Sequence, residues 1–475
     1  MSSRKRVAVV GAGISGLSAA YYLAKEAEQK GFEMEVDLFE KSDRLGGVIR
    51  TEKSGEFLFE WGPENFVPYK PEAMLLAKEL GLGDELIGSN DHVRQTCVVH
   101  QGQLYPLPDG MAFLAPVRVR PFMASTLLST PGKLRAILEP FVPRSRGEIT
   151  IRAFLERRLG KELTERVAEP LVSAIYGGDV DQLSTASALP DMYRIEQKYG
   201  SLWNGLRRQK KKAGGSNLPF FMTLRSGMQT LVEALVQALP SNIVVHTGVA
   251  GLRLEQRAGG FWLRDGHLNE CYESLIVCVP AHGAAELLSS VSPETAAELA
   301  SIHYTSTSLI YLGYKRSEFS HPLRGFGFVT PEGESQVLDA CTWVSTKFEG
   351  RCPEDSVLLR CAVHDGRRPR TFPSNEEVAE RAHQEVSRLL SISSPPCLFR
   401  VTHLGKCMPQ MTLGHSQKLH RISQELQSRP GLFLTGPFYH SVGIPDCIRS
   451  ARQTVSQVLE YLTSQKPPRQ QATLR

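Results

Sequence analysis

Gly11, Gly13 and Gly16 form a G-x-G-x-x-G pattern within Gly11-Ala12-Gly13-Ile14-Ser15-Gly16, and the acid Glu40 follows downstream. In such a loop the first glycine permits a tight turn, the second lets backbone approach a pyrophosphate, and the third lets a helix pack close to a strand. A helix start beside it presents free N–H groups and a positive dipole end to negative charge. An acid in the place of Glu40 can accept hydrogen bonds from a ribose 2′-OH and disfavours a 2′-phosphate. These residues together point to a bound dinucleotide.

The elements needed to position those residues are legible around them. Val7-Ala-Val-Val reads as a buried strand, and residues 17 to about 30 as a helix with Leu17, Ala20, Tyr21 and Ala24 on one face. Residues 35–40 read as a second strand, which completes a β-α-β unit. Residues 71–219 are helical in texture, with Pro and Gly interruptions, and 207–217 reads as an exposed loop. Strand patterns return at 244–254, 275–281, 308–314 and 357–363. Near the C-terminus a strand from Leu432 and a loop from Gly436 to Gly443 precede a helix running from about Asp446 to Leu462. Pro445 and Asp446 suit its first turn.

A chain of 475 residues exceeds the roughly 250–300 that one core serves, so two or three cores are expected. The net charge of +5 is too small for a nucleic-acid binder, which carries a concentrated basic stripe. The nine cysteines show no C-x-x-C pair and no zinc spacing, which suits reduced thiols in a cytoplasmic setting and predicts no metal. No apolar run reaches the ~18 residues of a membrane span. Residues 111–146 nevertheless mix apolar side chains with Arg118, Arg120, Lys133, Arg135, Arg144 and Arg146, a composition suited to an anionic lipid surface.

Several segments narrow the choice of dinucleotide. Arg44-Leu-Gly46-Gly47 resembles the R-x-G-G extension of the fingerprint in the amine oxidase-like flavoprotein superfamily, and the cofactor this implies is FAD. The resemblance implies that Arg44, Gly46 and Gly47 meet the phosphates. It likewise implies that Gly62-Pro63-Glu64-Asn65 meets the flavin side and that Val249 offers backbone to adenine. The helix start after Val442-Gly443-Ile444, beside Gly436, would then stabilise negative charge on a reduced flavin.

Further likeness is more specific. Pro409-Gln410-Met411-Thr-Leu-Gly414-His415, Asp446-Cys447-Ile448 and Cys341-Thr-Trp343 near Gly325-Phe326-Gly327 resemble segments of the oxygen-dependent protoporphyrinogen and coproporphyrinogen oxidases, over nearly the whole chain. Met411 departs from that family's Tyr. Thr96 stands where many protoporphyrinogen oxidases carry an Arg, a role that would pass to Arg94. Lys70 resembles a lysine of bacterial members.

The resemblance implies an α/β fold: a Rossmann-like FAD-binding domain in discontinuous segments, an α+β substrate domain, and a helical region that faces a membrane. The boundaries expected are 4–70, 220–285 and 405–464 for the FAD domain, 71–219 for the helical region, 286–404 for the strand-rich substrate domain and 465–475 for a disordered tail. The activity implied is oxidation of a porphyrinogen to a porphyrin in haem biosynthesis, with O2 as electron acceptor, by a homodimer resting on a membrane surface. Hydride would leave a methylene bridge for flavin N5, so no side-chain triad is nominated. The expected substrate chamber is apolar, walled by Phe326, Phe328, Val329 and Cys341, with Lys70 and Arg94 as cations for propionates. An amine oxidase or carotenoid desaturase of the same fold, or a flavoprotein that only delivers tetrapyrrole, are the competing readings.

Overall fold

The computed structural model describes residues 4–112, 114–212, 218–367, 372–439 and 442–464. The expected tail at 465–475 and part of the 207–217 loop lie outside them. Two sheets organise the chain. The first is a five-stranded parallel sheet in the order Ile243–His246, Met34–Phe39, Lys5–Val10, Ser274–Val277, Leu432–Leu434. Val7 pairs with Val36 on one side and Ser274 on the other, so the first strand is central. It is buried on both faces, which explains an unbroken apolar run rather than an alternating one. Val7 and Val9 pack under the helices Ile14–Gln29 and Ile444–Ser464, while Ala8 and Val10 face a three-stranded sheet spanning 253–272 and the helices Ala281–Leu288 and Pro293–Ala300. Three distant stretches of sequence thus close one sheet, and the last helix lies against the first.

The second sheet has seven strands in the order Leu398–Pro409, Tyr304–Lys315, Ser356–His364, Ala340–Trp343, Gly327–Val329, Thr96–His100, Gln103–Pro106. All neighbours are antiparallel except Gly327–Val329 beside Thr96–His100. Residues 96–106, expected in the helical stretch, are therefore strands, because Val98 and Val99 bury one on each face of this sheet. One face is covered by the helix Asn375–Leu390. The other looks toward the hairpin Thr51–Glu60 and the helical region, whose core gathers Phe122, Phe154, Leu155, Val167 and Val172. Residues 207–212, expected as loop, belong to the helix Leu202–Lys212, with Leu202 and Trp203 buried at its start. No helix among the described residues is long and apolar enough to cross a membrane.

Candidate functional site

The glycine loop closes as its sequence requires. Gly11 N–H donates to Phe39 O (2.7 Å), and Leu17 N–H donates to Gly13 O (3.0 Å), starting the first helix. A Cβ on Gly16 would lie 1.7 Å from Gly11 O, so only glycine lets this helix sit so close to the strand end. Gly46 N–H donates to Ala12 O (2.8 Å), and a Cβ on Gly47 would lie 3.2 Å from Gly13 Cα. Gly62 extends this surface: a Cβ there would lie 1.9 Å from Val48 O. Gly13, Gly47 and Gly62 thus line one continuous bare-backbone cradle. Bare backbone of this kind suits a diphosphate, and the start of Ile14–Gln29 offers N–H donors.

Glu40 joins the two halves of this cradle. One carboxylate oxygen accepts from Ala12 N–H (2.8 Å), and the other accepts from the backbone N–H and hydroxyl of Ser42 (3.0 Å each). The oxygen that accepts from Ala12 keeps a lone pair for a ribose hydroxyl. Val249 N–H donates to Glu40 O (3.0 Å), which brings the expected adenine contact to the same edge. From the opposite side comes the last helix. Ile444 packs in the same core as Ala12 and Leu17, Cys447 hydrogen-bonds to Ser15, and burial pushes the Cys447 thiol up to about 11. Thr435 and Ser450 hydroxyls meet at 2.8 Å, fixing Gly436 beside this helix. The two helix starts and the glycine loops that the sequence singled out therefore converge.

Other expected site residues are placed elsewhere. Arg44 is a brace: its guanidinium donates to the carbonyls of Leu45 and Ile49 (2.9 Å each) and of Gly47, and is occupied in shaping the loop. Glu64 is buried against the Lys347 ammonium (2.5 Å), with Asn65 Nδ2 donating to it (3.0 Å). Burial raises the Glu64 carboxyl, but Lys347 and Arg360 outweigh it and hold the group below the usual range. Lys70 donates to Asp446 at 2.6 Å, so its charge is already matched. Arg94 is exposed and lies over the Phe220 ring, 4.2 Å from its centroid.

Strand alternation corrects the wall as well. Cys97, Phe328, Cys341, Cys361 and Ile310 form one rung across the second sheet and face the helix Asn375–Leu390. Phe328 and Cys341 are core, turned away from the cradle. The face toward the cradle carries the adjacent rung: Thr96, Gly327, Thr342, Arg360 and Tyr311. Tyr311 hydroxyl accepts from Glu60 N–H (2.8 Å), and Arg360 donates to Gly62 O (2.7 Å), so this rung abuts the cradle. Val329 lies on this same face and packs into the helical core. Phe326 sits buried between Phe221 and Lys347.

Sequence reasoning did not single out Thr342, Arg360 or Lys347. The signal for Arg360 was present: a lone cation within Val357-Leu-Leu-Arg-Cys-Ala-Val, in a strand otherwise apolar. Lys347 had no such signal. Gln410 belongs to the same region. Its amide donates to Tyr176 O (3.1 Å) and to Thr305 Oγ1 (3.0 Å), and a Cβ on Gly178 would lie 1.9 Å from its Oε1. It ties the helical region to the second sheet.

A family model for flavin containing amine oxidoreductase matches residues 14–459. The coproporphyrinogen III oxidase of Bacillus subtilis (strain 168) is 33% identical over 97% of this chain and 99% of its own length. The protoporphyrinogen oxidase of Bos taurus is 30% identical over 96% of this chain and 98% of its own. A solved, provisionally named protoporphyrinogen oxidase of Exiguobacterium sp. 255-15 superposes with a TM-score of 0.84 at 29% identity, covering 97% of this chain and 100% of that one. The converging glycine loops, the discontinuous parallel sheet and these full-length likenesses lead to one conclusion: the chain belongs to the flavin containing amine oxidoreductase family, and flavin is its cofactor.

Proposed function

We propose that this protein oxidises a porphyrinogen to the porphyrin, with FAD as hydride acceptor and O2 as the final oxidant. The observation that supports it most is the cradle-facing rung Thr96, Gly327, Thr342 and Arg360. Thr96, Gly327 and Thr342 are small and uncharged and stand in a row beside Arg360, which donates to Gly62 O, so this side of the sheet would leave a recess for a wide, flexible macrocycle. The relatives named as porphyrinogen oxidases match over nearly their full lengths.

When bound, FAD supplies the two-electron acceptor. The chain supplies the rest. Gly13 and Gly47 would present backbone to its diphosphate, and Gly62-Pro63 and the start of the helix Ile444–Ser464 would border its isoalloxazine. The sheet rung and Val329 shape the recess, while Gln410 fixes the helical region over it. Hydride leaves a methylene bridge, and the adjoining pyrrole N–H gives up its proton to solvent, so conjugation grows with each step.

A second observation supports contact with a lipid surface. Leu134, Leu138 and Phe141 are exposed, Phe141 at 83%, among the exposed Arg118, Arg120, Arg144 and Arg146. Lys133 and Arg135 are instead spent on backbone carbonyls. Vesicles with anionic lipid should bind the protein, and Phe141→Ser should weaken that binding. For the reaction, the test is anaerobic mixing of the yellow protein with protoporphyrinogen IX and coproporphyrinogen III in turn. Bleaching of the flavin with appearance of porphyrin fluorescence is expected. A flavin that dithionite bleaches but neither porphyrinogen reduces would reject the reading.

A further inference from the structure

Behind Gly62–Glu64 lies a group of charges that the reaction as described does not use. Glu60, Glu64, Lys347 and Arg351 are all buried, and Arg360 is nearly so. Lys347 pairs with Glu64 at 2.5 Å, and Arg360 Nη1 stands 4.0 Å from the other Glu64 oxygen. Arg351 donates to Thr223 Oγ1 (3.1 Å) and to the carbonyls of Leu224 and Arg225 (2.9 Å each), and Thr223 Oγ1 donates to Glu64 O (2.9 Å). Glu60 accepts from Met228 N–H and from Thr51 Oγ1 (2.8 Å each). Three cations face two carboxylates, a surplus of +1 with both acids ionised. A buried surplus charge is costly unless something balances it. The surplus meets the cradle at Gly62, whose carbonyl Arg360 holds directly.

We infer that this cluster, through Lys347, Arg351 and Arg360, sets the reduction potential of the bound flavin by balancing the negative charge that reduction adds. The inference rests on the flavin lying against Gly62–Asn65. Glu60 makes the balance depend on pH. Burial pushes its carboxyl up to about 7, against the opposing effect of its bonds to Met228 and Thr51 and of Arg351, while Glu64 adds to the rise. Tyr311, whose hydroxyl bonds to the Glu60 backbone, also faces it, and Arg225 lies beyond Arg351. Above that pH the surplus is +1; below it, protonation of Glu60 leaves +2.

The test is the midpoint potential of the purified holoprotein by spectroelectrochemistry from pH 6 to 8, which needs no substrate. Lys347→Met should disfavour reduction at least tenfold, a fall of ~30 mV for a two-electron couple. Glu64→Gln should shift it by a similar factor in the opposite direction, and the double variant should return near the original value. Glu60→Gln should raise the potential at pH 8 and leave it unchanged at pH 6. Loosened packing would move both single variants the same way, and that result, or shifts below twofold, would overturn the inference. Protein that takes up no FAD would overturn both this inference and the flavin reading beneath it. Normal flavin uptake with unmoved potentials would overturn this one alone.

Discussion

Replacing Gly13 by alanine separates cofactor binding from folding. Gly13 has φ −71° and ψ −177°, an extended conformation open to any residue. A Cβ there would meet only Gly47 Cα, at 4.0 Å, an ordinary contact. The apoprotein should therefore keep its stability to within ~0.5 kcal/mol. With a dinucleotide bound, the same methyl would occupy the bare-backbone cradle between Gly13 and Gly47. Pushing the diphosphate away forfeits at least two charge-assisted hydrogen bonds at ~1.5 kcal/mol each. A loss of ~3 kcal/mol is more than a hundredfold in affinity. The assay is FAD titration of apoprotein by fluorescence quenching, with melting curves run with and without FAD. Unmodified protein at 100 times its Kd gains ~2.7 kcal/mol from ligand, and the variant should gain almost none at that concentration. Gly16→Ala is the contrast: its Cβ would lie 1.7 Å from Gly11 O, so the apoprotein itself should lose stability. Tight FAD binding by the Gly13 variant would refute the placement of the diphosphate.

Phe328→Ala should cost ~3–5 kcal/mol of stability without altering the Michaelis constant of the surviving protein, because that ring lies in the core. Thr342→Phe should do the reverse, filling the recess and raising the Michaelis constant for porphyrinogen while the melting temperature stays near its original value. Arg158 is fully buried between Glu139 (2.9 Å) and Glu196 (2.6 Å), so Arg158→Met leaves the buried Glu139 with no cation and Glu196 with Arg157 alone. A loss of ~3–5 kcal/mol in denaturant unfolding is expected; an unchanged midpoint would show that the cluster is already neutral. The folded-state pKa of Glu60, about 7 against an ordinary 4.5, means that folding favours its protonated form. Its contribution is fully present below pH 4.5 and is lost as pH rises through 7. Glu60→Gln should flatten that part of the stability profile, as followed by urea midpoints between pH 5 and 8.

What the sequence by itself determined is local and periodic. The glycine spacing at 11, 13 and 16, the apolar run before it and Glu40 after it define the nucleotide-binding unit, since these demands are met within one β-α-β span. The last helix was legible for the same reason: its capping residues and apolar period lie together. Tertiary structure decided the rest. Whether Phe328 or its neighbour Gly327 faces the recess is a choice between two faces that alternate at every residue, and neither is marked by composition in a strand buried on both sides. Charge partners were equally hidden. Lys70 and Asp446, or Glu64 and Lys347, lie hundreds of positions apart, and a cation's role depends on which carboxylate the fold brings to it. The sequence therefore supplied the cradle, while the fold assigned the recess, paired Lys70 with Asp446 and set Arg94 over the Phe220 ring.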